Sequence, residues 1–422
     1  MEQIIITGQN KLSGVVHING AKNAAVAIIP AAIAAKGISI IENLPRIEDV
    51  NILANAIGSI GVICEFKDPH TLIIDSRNVN GFQITYDLTR KMRASYYLLG
   101  SLLGRFKQAI VPLPGGCNFG SRPIDLHIKG FEALGAKIIM EHGLIHAYAD
   151  KLTGSHIYLD TASVGATINI MLAAVHAEGT TTIENAAREP HVVDTANFLN
   201  MLGAKIKGAG TDMIRITGVT EMSGAEYQII PDQIEAGTYM IASAITSGDV
   251  TVSNVIPKHM DSIAAKLLEM NCKLDEGDDY IRVIGTGNMQ SVNIKTMVYP
   301  GFPTDLQPQM TALLSTAKGT SVITESVFDN RFQYVNELRR LGSNVTVEGR
   351  VAVIEGGVNL SGAEVSATDL RAGAALVIAG LAAKGETTIH NVKYIDRGYE
   401  DIENKLRSLG ADIRRVNTPK PI

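Results

Sequence analysis

Cys117 stands in the run Leu113-Pro-Gly-Gly-Cys-Asn-Phe-Gly-Ser-Arg-Pro-Ile-Asp-Leu-His127, a glycine-rich segment with an arginine five residues after the thiol. Gly115, Gly116 and Gly120 free the backbone to swing. Arg122 offers an anion a planar fork of donors, and a neighbouring cation draws a thiol toward the range where it serves as acid or nucleophile. Chemistry of this kind usually sits on loops carried by a rigid scaffold. A cysteine taken alone is more often a filler of a small apolar gap. The elements around it argue for chemistry.

A single phrase recurs along the chain: a β-rich run ending near Asn, an irregular segment, a short amphipathic helix, then Leu-Gly-Ala and a strand. Its copies are Ile38 to Ile63, Ala109 to Ile138, Thr180 to Ile206, Asp249 to Leu274, Thr320 to Val345 and Glu386 to Ile413. Their turn positions are Gly61, Gly135, Gly203, Asn271, Gly342 and Gly410, spaced 74, 68, 68, 71 and 68 residues apart. Glycine there predicts a left-handed helix stop, and asparagine is the other residue that tolerates one.

Ahead of the copies lie Ala-rich helices that are apolar on nearly every face: Asn23 to Lys36, Met92 to Arg105, Val164 to Glu178, Ala236 to Ser247, Asp305 to Lys318 and Leu370 to Lys384. A helix apolar all round must be buried. Gly37, Gly179, Gly248, Gly319 and Gly385 read as their stops. The predicted unit is strand, buried helix, strand, outer helix, strands. Six units, three per domain, make an α/β protein of two pseudo-threefold domains, with buried helices inside and sheets and amphipathic helices outside. A linear solenoid would need polar capping repeats, and none is visible.

A buried helix start presents free N–H groups and a positive dipole end, which suits an anion where it opens on a cleft. The residues at these starts are Lys22-Asn23, Arg93, Ser163-Val164-Gly165, Glu235, Thr304-Asp305 and Asp369 with Arg371. Any one of them reads as a helix cap or a solvated side chain. Together they point to a multiply anionic, phosphate-bearing ligand. The segments Asn19-Gly20-Ala21-Lys22 and Ile230-Pro231-Asp232-Gln233 read as the two crossings between halves. The expected domains are therefore 1–20 with 231–422, carrying Asp305, Arg331, Asp369, Arg371 and Arg397, and 21–230, carrying Lys22, Asn23, Arg93, Arg122 and the 113–123 loop.

Composition bounds the function. The 422 residues exceed what one core usually supports, and 45% hydrophobic against 19% charged residues excludes a disordered chain. With 38 basic and 43 acidic residues the net charge is −5, which disfavours a nucleic-acid partner. The longest apolar stretches, Ala24 to Ala35 and Ala372 to Ala383, are too short to span a bilayer, so no membrane partner is expected. Met1-Glu-Gln-Ile-Ile-Ile-Thr-Gly8 enters a strand-like pattern with no leader, and three widely spaced cysteines suit a reduced cytoplasm, the expected location. Cys64 and Cys272 read as inert core thiols, and no metal-ligand pattern is present.

The motifs Gly20-Ala-Lys-Asn-Ala24, Arg90-Lys-Met-Arg-Ala-Ser95, Pro114-Gly-Gly-Cys117, Arg122-Pro-Ile-Asp-Leu-His127, Glu184-Asn-Ala-Ala-Arg-Glu-Pro190, Phe302-Pro-Thr-Asp305, Asn330-Arg331, Ala367-Thr-Asp-Leu-Arg-Ala372 and Ile395-Asp-Arg-Gly-Tyr-Glu400 together resemble the UDP-N-acetylglucosamine 1-carboxyvinyltransferase family over essentially the whole length. The resemblance implies the two-domain inside-out α/β barrel of enolpyruvyl transferases. It implies transfer of the enolpyruvyl group of phosphoenolpyruvate to the sugar 3-hydroxyl with release of phosphate, the committed step of peptidoglycan synthesis, with no cofactor and no metal.

By the same resemblance Lys22, Asn23, Arg93, Cys117, Arg122 and Arg397 would bind phosphoenolpyruvate. Cys117 would form its covalent adduct, protonate its methylene carbon and be alkylated by fosfomycin. Cys117, Lys22, Asp305 and Arg397 would be catalytic. UDP-N-acetylglucosamine would meet Asn23, Arg93, Asp305 and Val327, the uracil edge Arg122, Pro123, Ile124, Asp125 and Leu126, and the diphosphate grip Ser163, Val164 and Gly165. Arg331, Asp369 and Arg371 would complete the wall. Closure of the domains would exclude water, and regulatory protein partners fit the family. A carboxylate at a helix start is held in its charged form, so Asp305 is expected to orient the hydroxyl and take its proton late. Thr161-Ala162 stands where some members place a lysine, which leaves the diphosphate one cation short or hands that role to another base. The rivals are a 5-enolpyruvylshikimate-3-phosphate synthase-like transferase, whose family lacks the Pro-Gly-Gly-Cys loop, and a non-catalytic sugar-nucleotide-binding paralogue.

Overall fold

The computed structural model describes residues 2–89, 92–113 and 124–417; of Leu88, Thr89 and Arg93 it describes the backbone. The described residues fall into two compact units, one made of the chain up to Asn19 and from Pro231 onward, the other of the chain from Gly20 to Ile230.

In the unit from Gly20 to Ile230, the helices Lys22–Ala31, Tyr97–Phe106 and Val164–Ala174 form the centre. From Ala166 to Ala174 every residue is buried, as an all-apolar helix requires. Gly100 sets how closely two of these helices approach, since a Cβ there would lie 2.3 Å from the Asn169 carbonyl oxygen. Three sheets cover the centre. In one, His156–Tyr158 runs parallel to Thr180–Glu184, which pairs antiparallel with Met213–Thr217, itself antiparallel to Lys205–Lys207. In another, Glu226–Gln228, Ile38–Glu42, Thr71–Asp75 and Ile63–Asp68 repeat that order. In the third, Gln108–Pro112, Leu144–Tyr148 and Lys137–Glu141 repeat its antiparallel part, with a parallel bridge from Gln83 to Ile110 at the edge.

The other unit is built alike around Gln233–Ile245, Gln307–Thr316 and Leu370–Ala382. Its sheets run in the orders Ser13–His17, Asp249–Ser253, Tyr280–Ile284, Lys273–Glu276, and Ile294–Lys295, Thr320–Thr324, Val351–Glu355, Asn344–Glu348. The third, Glu364–Ser366, Glu386–His390, Glu2–Thr7, Asp412–Asn417, takes its third strand from the opposite end of the chain. Ile4 and Ile6 of that inserted strand are wholly buried.

All six turn positions, Gly61, Gly135, Gly203, Asn271, Gly342 and Gly410, have positive φ. Gly179, Gly319 and Gly385 do as well, but Gly37 and Gly248 do not. Those two are required by close approach instead. A Cβ at Gly37 would lie 2.3 Å from the Gly224 nitrogen, and one at Gly248 2.4 Å from the Leu12 carbonyl oxygen. Ser247 takes the left-handed position beside Gly248.

The strand Ser13–His17 leads on into Lys22–Ala31 of the other unit, and Glu226–Gln228 leads back into Gln233–Ile245. Buried carboxylates hold the chain at both crossings. Glu235 accepts from the Asn19 amide at 3.1 Å, and Asp194 accepts from the Tyr227 hydroxyl at 2.6 Å and weakly from the Ile230 amide at 3.4 Å. Burial pushes the Asp194 carboxyl up to about 6, against the pull of Tyr227 and Ile230. A raised value in the folded state means that its contribution to stability is full below the unfolded value and lost as pH rises through about 6. Relative to an Asp194→Asn variant, the protein should therefore gain stability on acidification toward the ordinary carboxylate range, on the order of 3 kcal/mol. Urea unfolding midpoints of both proteins across that range test this, and parallel pH curves would refute it.

Candidate active site

In the unit from Gly20 to Ile230, Lys22 opens its helix and its Nζ lies 3.1 Å from Oδ2 of Asp49, which is 1% exposed. Asn23 follows it, half-buried. The backbone of Arg93 opens a short 3-10 turn leading into Tyr97–Phe106. Cys117, Arg122 and Pro123 lie outside the described residues. Ile124, Asp125 and Leu126 form the start of the helix Asp125–Ala133. Ser163 caps the helix Val164–Ala174, its hydroxyl accepting from the Ala166 amide at 3.3 Å.

The starts of these last two helices are brought together by a polar cluster. The Asn169 side chain accepts from the Gly100 amide at 2.8 Å, so its amide nitrogen must donate, to the Tyr96 carbonyl at 2.9 Å and to His127 Nδ1 at 3.0 Å. That direction puts the imidazole proton on Nε2. A Cβ on Gly165 would meet the Tyr96 hydroxyl at 2.7 Å and His127 Nε2 at 3.1 Å. Glycine at 165 thus lets the capped helix start sit against His127, one residue beyond Leu126.

The other unit assembles Asp305, Arg331, Asp369 and Arg371. Asp305 lies in the 3-10 turn Thr304–Leu306 that feeds Gln307–Thr316. Arg371 Nη2 is 3.0 Å from its Oδ2, and Arg331 Nη2 is 3.4 Å from its Oδ1. The carboxylate is 28% exposed, whereas the side chains of Arg371 and Arg331 are 4% and 2% exposed. One edge of the carboxylate therefore reaches outward while two buried cations face its oxygens and favour its charged form. Burial by itself would lower Arg371, but Asp305, Tyr399 and Asp232 carry it above the ordinary arginine value. Asp369 caps the helix Leu370–Ala382, accepting from the Arg371 and Ala372 amides at 2.8 and 3.1 Å.

Glu325 joins Thr304, the residue before Asp305, to Val327. It is buried, and it accepts from the Thr304 hydroxyl at 2.9 Å, the Thr296 hydroxyl at 2.8 Å and the Val327 amide at 2.8 Å. Arg397 ends the turn Val392–Arg397 and is half-buried. Its neighbours are anchored on both sides. Arg415 reaches Asp396 at 2.7 Å and Glu403 at 2.6 Å, Glu400 accepts from Asn19 at 2.6 Å, and Tyr399 is wholly enclosed. Sequence reasoning does not single out Asp49, Asn169, Glu325 or Arg415. For Tyr399 the signal is its place in the run Ile395 to Glu400.

Cys64 and Cys272 are pushed up to about 12 and about 11 by burial, so both are thiols at neutral pH. Among the described residues no group of three or more His, Cys, Asp or Glu is placed to hold a metal ion, and no helix is long and apolar enough to cross a membrane.

The chain matches the family model for EPSP synthase (3-phosphoshikimate 1-carboxyvinyltransferase) over residues 6–406. It is 58% identical over 419 residues to the UDP-N-acetylglucosamine 1-carboxyvinyltransferase of Clostridium botulinum, covering 99% of this chain and 100% of that one. It is 54% identical over 416 residues to UDP-N-acetylglucosamine 1-carboxyvinyltransferase 2 of Bacillus subtilis, covering 98% and 97%. Among solved structures, the enolpyruvyl transferase NikO from Streptomyces tendae superposes with a TM-score of 0.89 at 28% identity over 99% of each chain. EPSP synthase from Acinetobacter baumannii, at 20% identity and a TM-score of 0.77 over 99% of this chain and 100% of that one, shares the fold.

Proposed function

Because the chain belongs to the enolpyruvyl transferases and, among them, to the UDP-N-acetylglucosamine 1-carboxyvinyltransferases, we propose that it transfers the enolpyruvyl group of phosphoenolpyruvate to the 3-hydroxyl of UDP-N-acetylglucosamine and releases phosphate. The observation that carries this reading is the 58% identity to a relative of that name along the full length of both chains. The two compact units serve as its domains.

In this reading the sugar hydroxyl adds to C2 of phosphoenolpyruvate while C3 gains a proton, and the tetrahedral ketal then loses phosphate and that C3 site gives a proton back. Cys117 supplies the acid at C3. Lys22, Arg93, Arg122 and Arg397 hold the carboxylate and phosphate, for which planar guanidinium groups are suited. Asn23, Asp305 and Val327 hold the amino-sugar, with Glu325 bridging Val327 and Thr304, the residue before Asp305. Ser163, Val164 and Gly165 offer backbone N–H groups at a helix start to the diphosphate, beside the Ile124 to Leu126 edge that takes uracil. Asp305 receives the hydroxyl proton late, because its buried arginine neighbours favour the anion. The reaction places the protein at the committed step of peptidoglycan synthesis, in the cytoplasm, with fosfomycin as a covalent inhibitor and regulatory proteins as further partners.

The test is phosphate release from phosphoenolpyruvate with and without UDP-N-acetylglucosamine, before and after fosfomycin. Release that needs the sugar nucleotide and stops with the drug, with mass added at Cys117 and none at Cys64 or Cys272, supports the reading. Nucleotide binding without release favours a non-catalytic paralogue.

A further inference from the structure

Glu325 carries a carboxylate too enclosed to touch a substrate. It is 1% exposed, and a buried charge persists only where hydrogen-bond donors surround it. Strand register sets its place: Ile294–Lys295 pairs parallel with Thr320–Thr324, so Thr296 and Glu325 leave their strands side by side. The Thr296 hydroxyl accepts from the Ser326 amide at 2.9 Å and donates to Glu325 Oε1 at 2.8 Å. The Val327 and Phe328 amides donate to the same oxygen at 2.8 and 3.2 Å. Oε2 accepts from the Thr304 hydroxyl at 2.9 Å. A carboxylate, an acceptor at both oxygens, satisfies all four donors. An apolar residue at 325 would leave the two buried amides without an acceptor, at a cost larger than the bonds themselves contribute.

We infer that Glu325 is a positioning residue of the amino-sugar site: one oxygen fixes the backbone at Val327 and Phe328, the other fixes Thr304, and the two stretches that carry Val327 and Asp305 thereby keep one spacing. The outward groups on those stretches fit that task. Val327 is 38% exposed and the Asp305 side chain 28%, while the carboxylate that joins their segments is enclosed. Thr304 is held a second time, its carbonyl accepting from Arg331 Nη2 at 3.3 Å, and the same nitrogen lies 3.4 Å from Asp305 Oδ1. The Arg331 guanidinium in turn lies 5.7 Å from the centroid of the Phe328 ring. A closed circuit of contacts thus runs from Glu325 through Thr304 and Arg331 to Phe328 and back to Glu325. Asp305 meets that circuit at Arg331 and through its peptide bond to Thr304.

The inference rests on the proposed roles of Asp305 and Val327, and kinetics resolved by substrate separate it from them. Glu325→Ala should raise KM for UDP-N-acetylglucosamine and lower kcat, each by roughly tenfold, the scale of a hydrogen bond to a charged group. KM for phosphoenolpyruvate should shift by less than about twofold, because the segments that Glu325 holds carry proposed contacts to the sugar alone. Thr304→Val cuts only the branch to Oε2. It should lower kcat by about fivefold and leave KM for the sugar nucleotide within about twofold, since the hold on Val327 is intact. Thr304→Ser, which keeps the hydroxyl, should recover most of that loss. The Thr304 variants carry the test if Glu325→Ala does not fold. Thermal unfolding of each variant and kcat per folded molecule exclude plain destabilisation. Two KM values that rise together in Glu325→Ala, unchanged kcat in Thr304→Val, or a Thr304→Ser variant no better than Thr304→Val overturn the positioning role alone. Absence of sugar-dependent phosphate release by the unaltered protein overturns the function, and this inference with it.

Discussion

Asp305→Asn is expected to reduce kcat by at least about a hundredfold, the lower range for a positioned acid–base group, with a smaller change in the affinity for UDP-N-acetylglucosamine. The amide keeps the size of the carboxylate and can still meet one arginine. It cannot take a proton from the sugar hydroxyl, and it no longer neutralises Arg331 and Arg371, which flank it at 3.4 and 3.0 Å. The same geometry sets a limit on the role. A carboxylate facing two guanidinium groups that are 2% and 4% exposed is a poor base in the ground state. Its useful work is to orient the hydroxyl and to accept the proton once the bond to C2 is largely formed. Removing the charge also takes a facing anion away from two buried cations, so a loss of stability of a few kcal/mol accompanies the kinetic effect. Turnover must therefore be expressed per folded molecule, from single-turnover kinetics alongside an unfolding curve. Near-normal turnover would show that Asp305 is not the proton acceptor.

Lys405→Met should destabilise the protein by about 3–5 kcal/mol, the range for breaking one partner out of a buried ion pair. Glu235 is wholly enclosed and its carboxylate has two holds, Lys405 Nζ at 2.6 Å and the Asn19 amide at 3.1 Å. Burial raises Glu235 above the ordinary 4.5, with Lys405 pulling it back down. Without the lysine the rise is larger. Since the folded value then lies further above the unfolded one, the deficit should grow as pH rises from about the ordinary glutamate value and shrink on acidification. Glu235→Gln in the Lys405→Met background should restore part of the loss, because a neutral amide needs no counter-ion. Urea unfolding of the single and double variants at two pH values checks both statements. A deficit independent of pH, or no recovery in the double variant, would mean that the pair contributes through packing and not through charge. The position also matters for the site. Glu235 holds Asn19, and Asn19 donates to Glu400 in the segment that carries Arg397.

Sequence by itself determined the parts of this protein that depend on local backbone chemistry and on periodicity. The six turn positions from Gly61 to Gly410 take positive φ because glycine and asparagine alone tolerate it cheaply, and that preference is written in one residue. The buried helices were legible because a helix with no polar face has only one place to go. The polar residues at their starts followed from the unpaired N–H groups that every such start leaves. Tertiary structure decided what short stretches of sequence do not encode. It slots the strand Glu2–Thr7 between two strands from the far end of the chain. It makes Gly37 and Gly248 matter through a neighbouring backbone and not through a left-handed turn. It gives Lys22 its partner Asp49, gives His127 the amide of Asn169, and ties Thr304, the residue before Asp305, to Val327 through Glu325. The physical reason is the same each time: a conformational preference belongs to a residue, whereas the direction and partner of a buried hydrogen bond exist only once distant segments have closed around it.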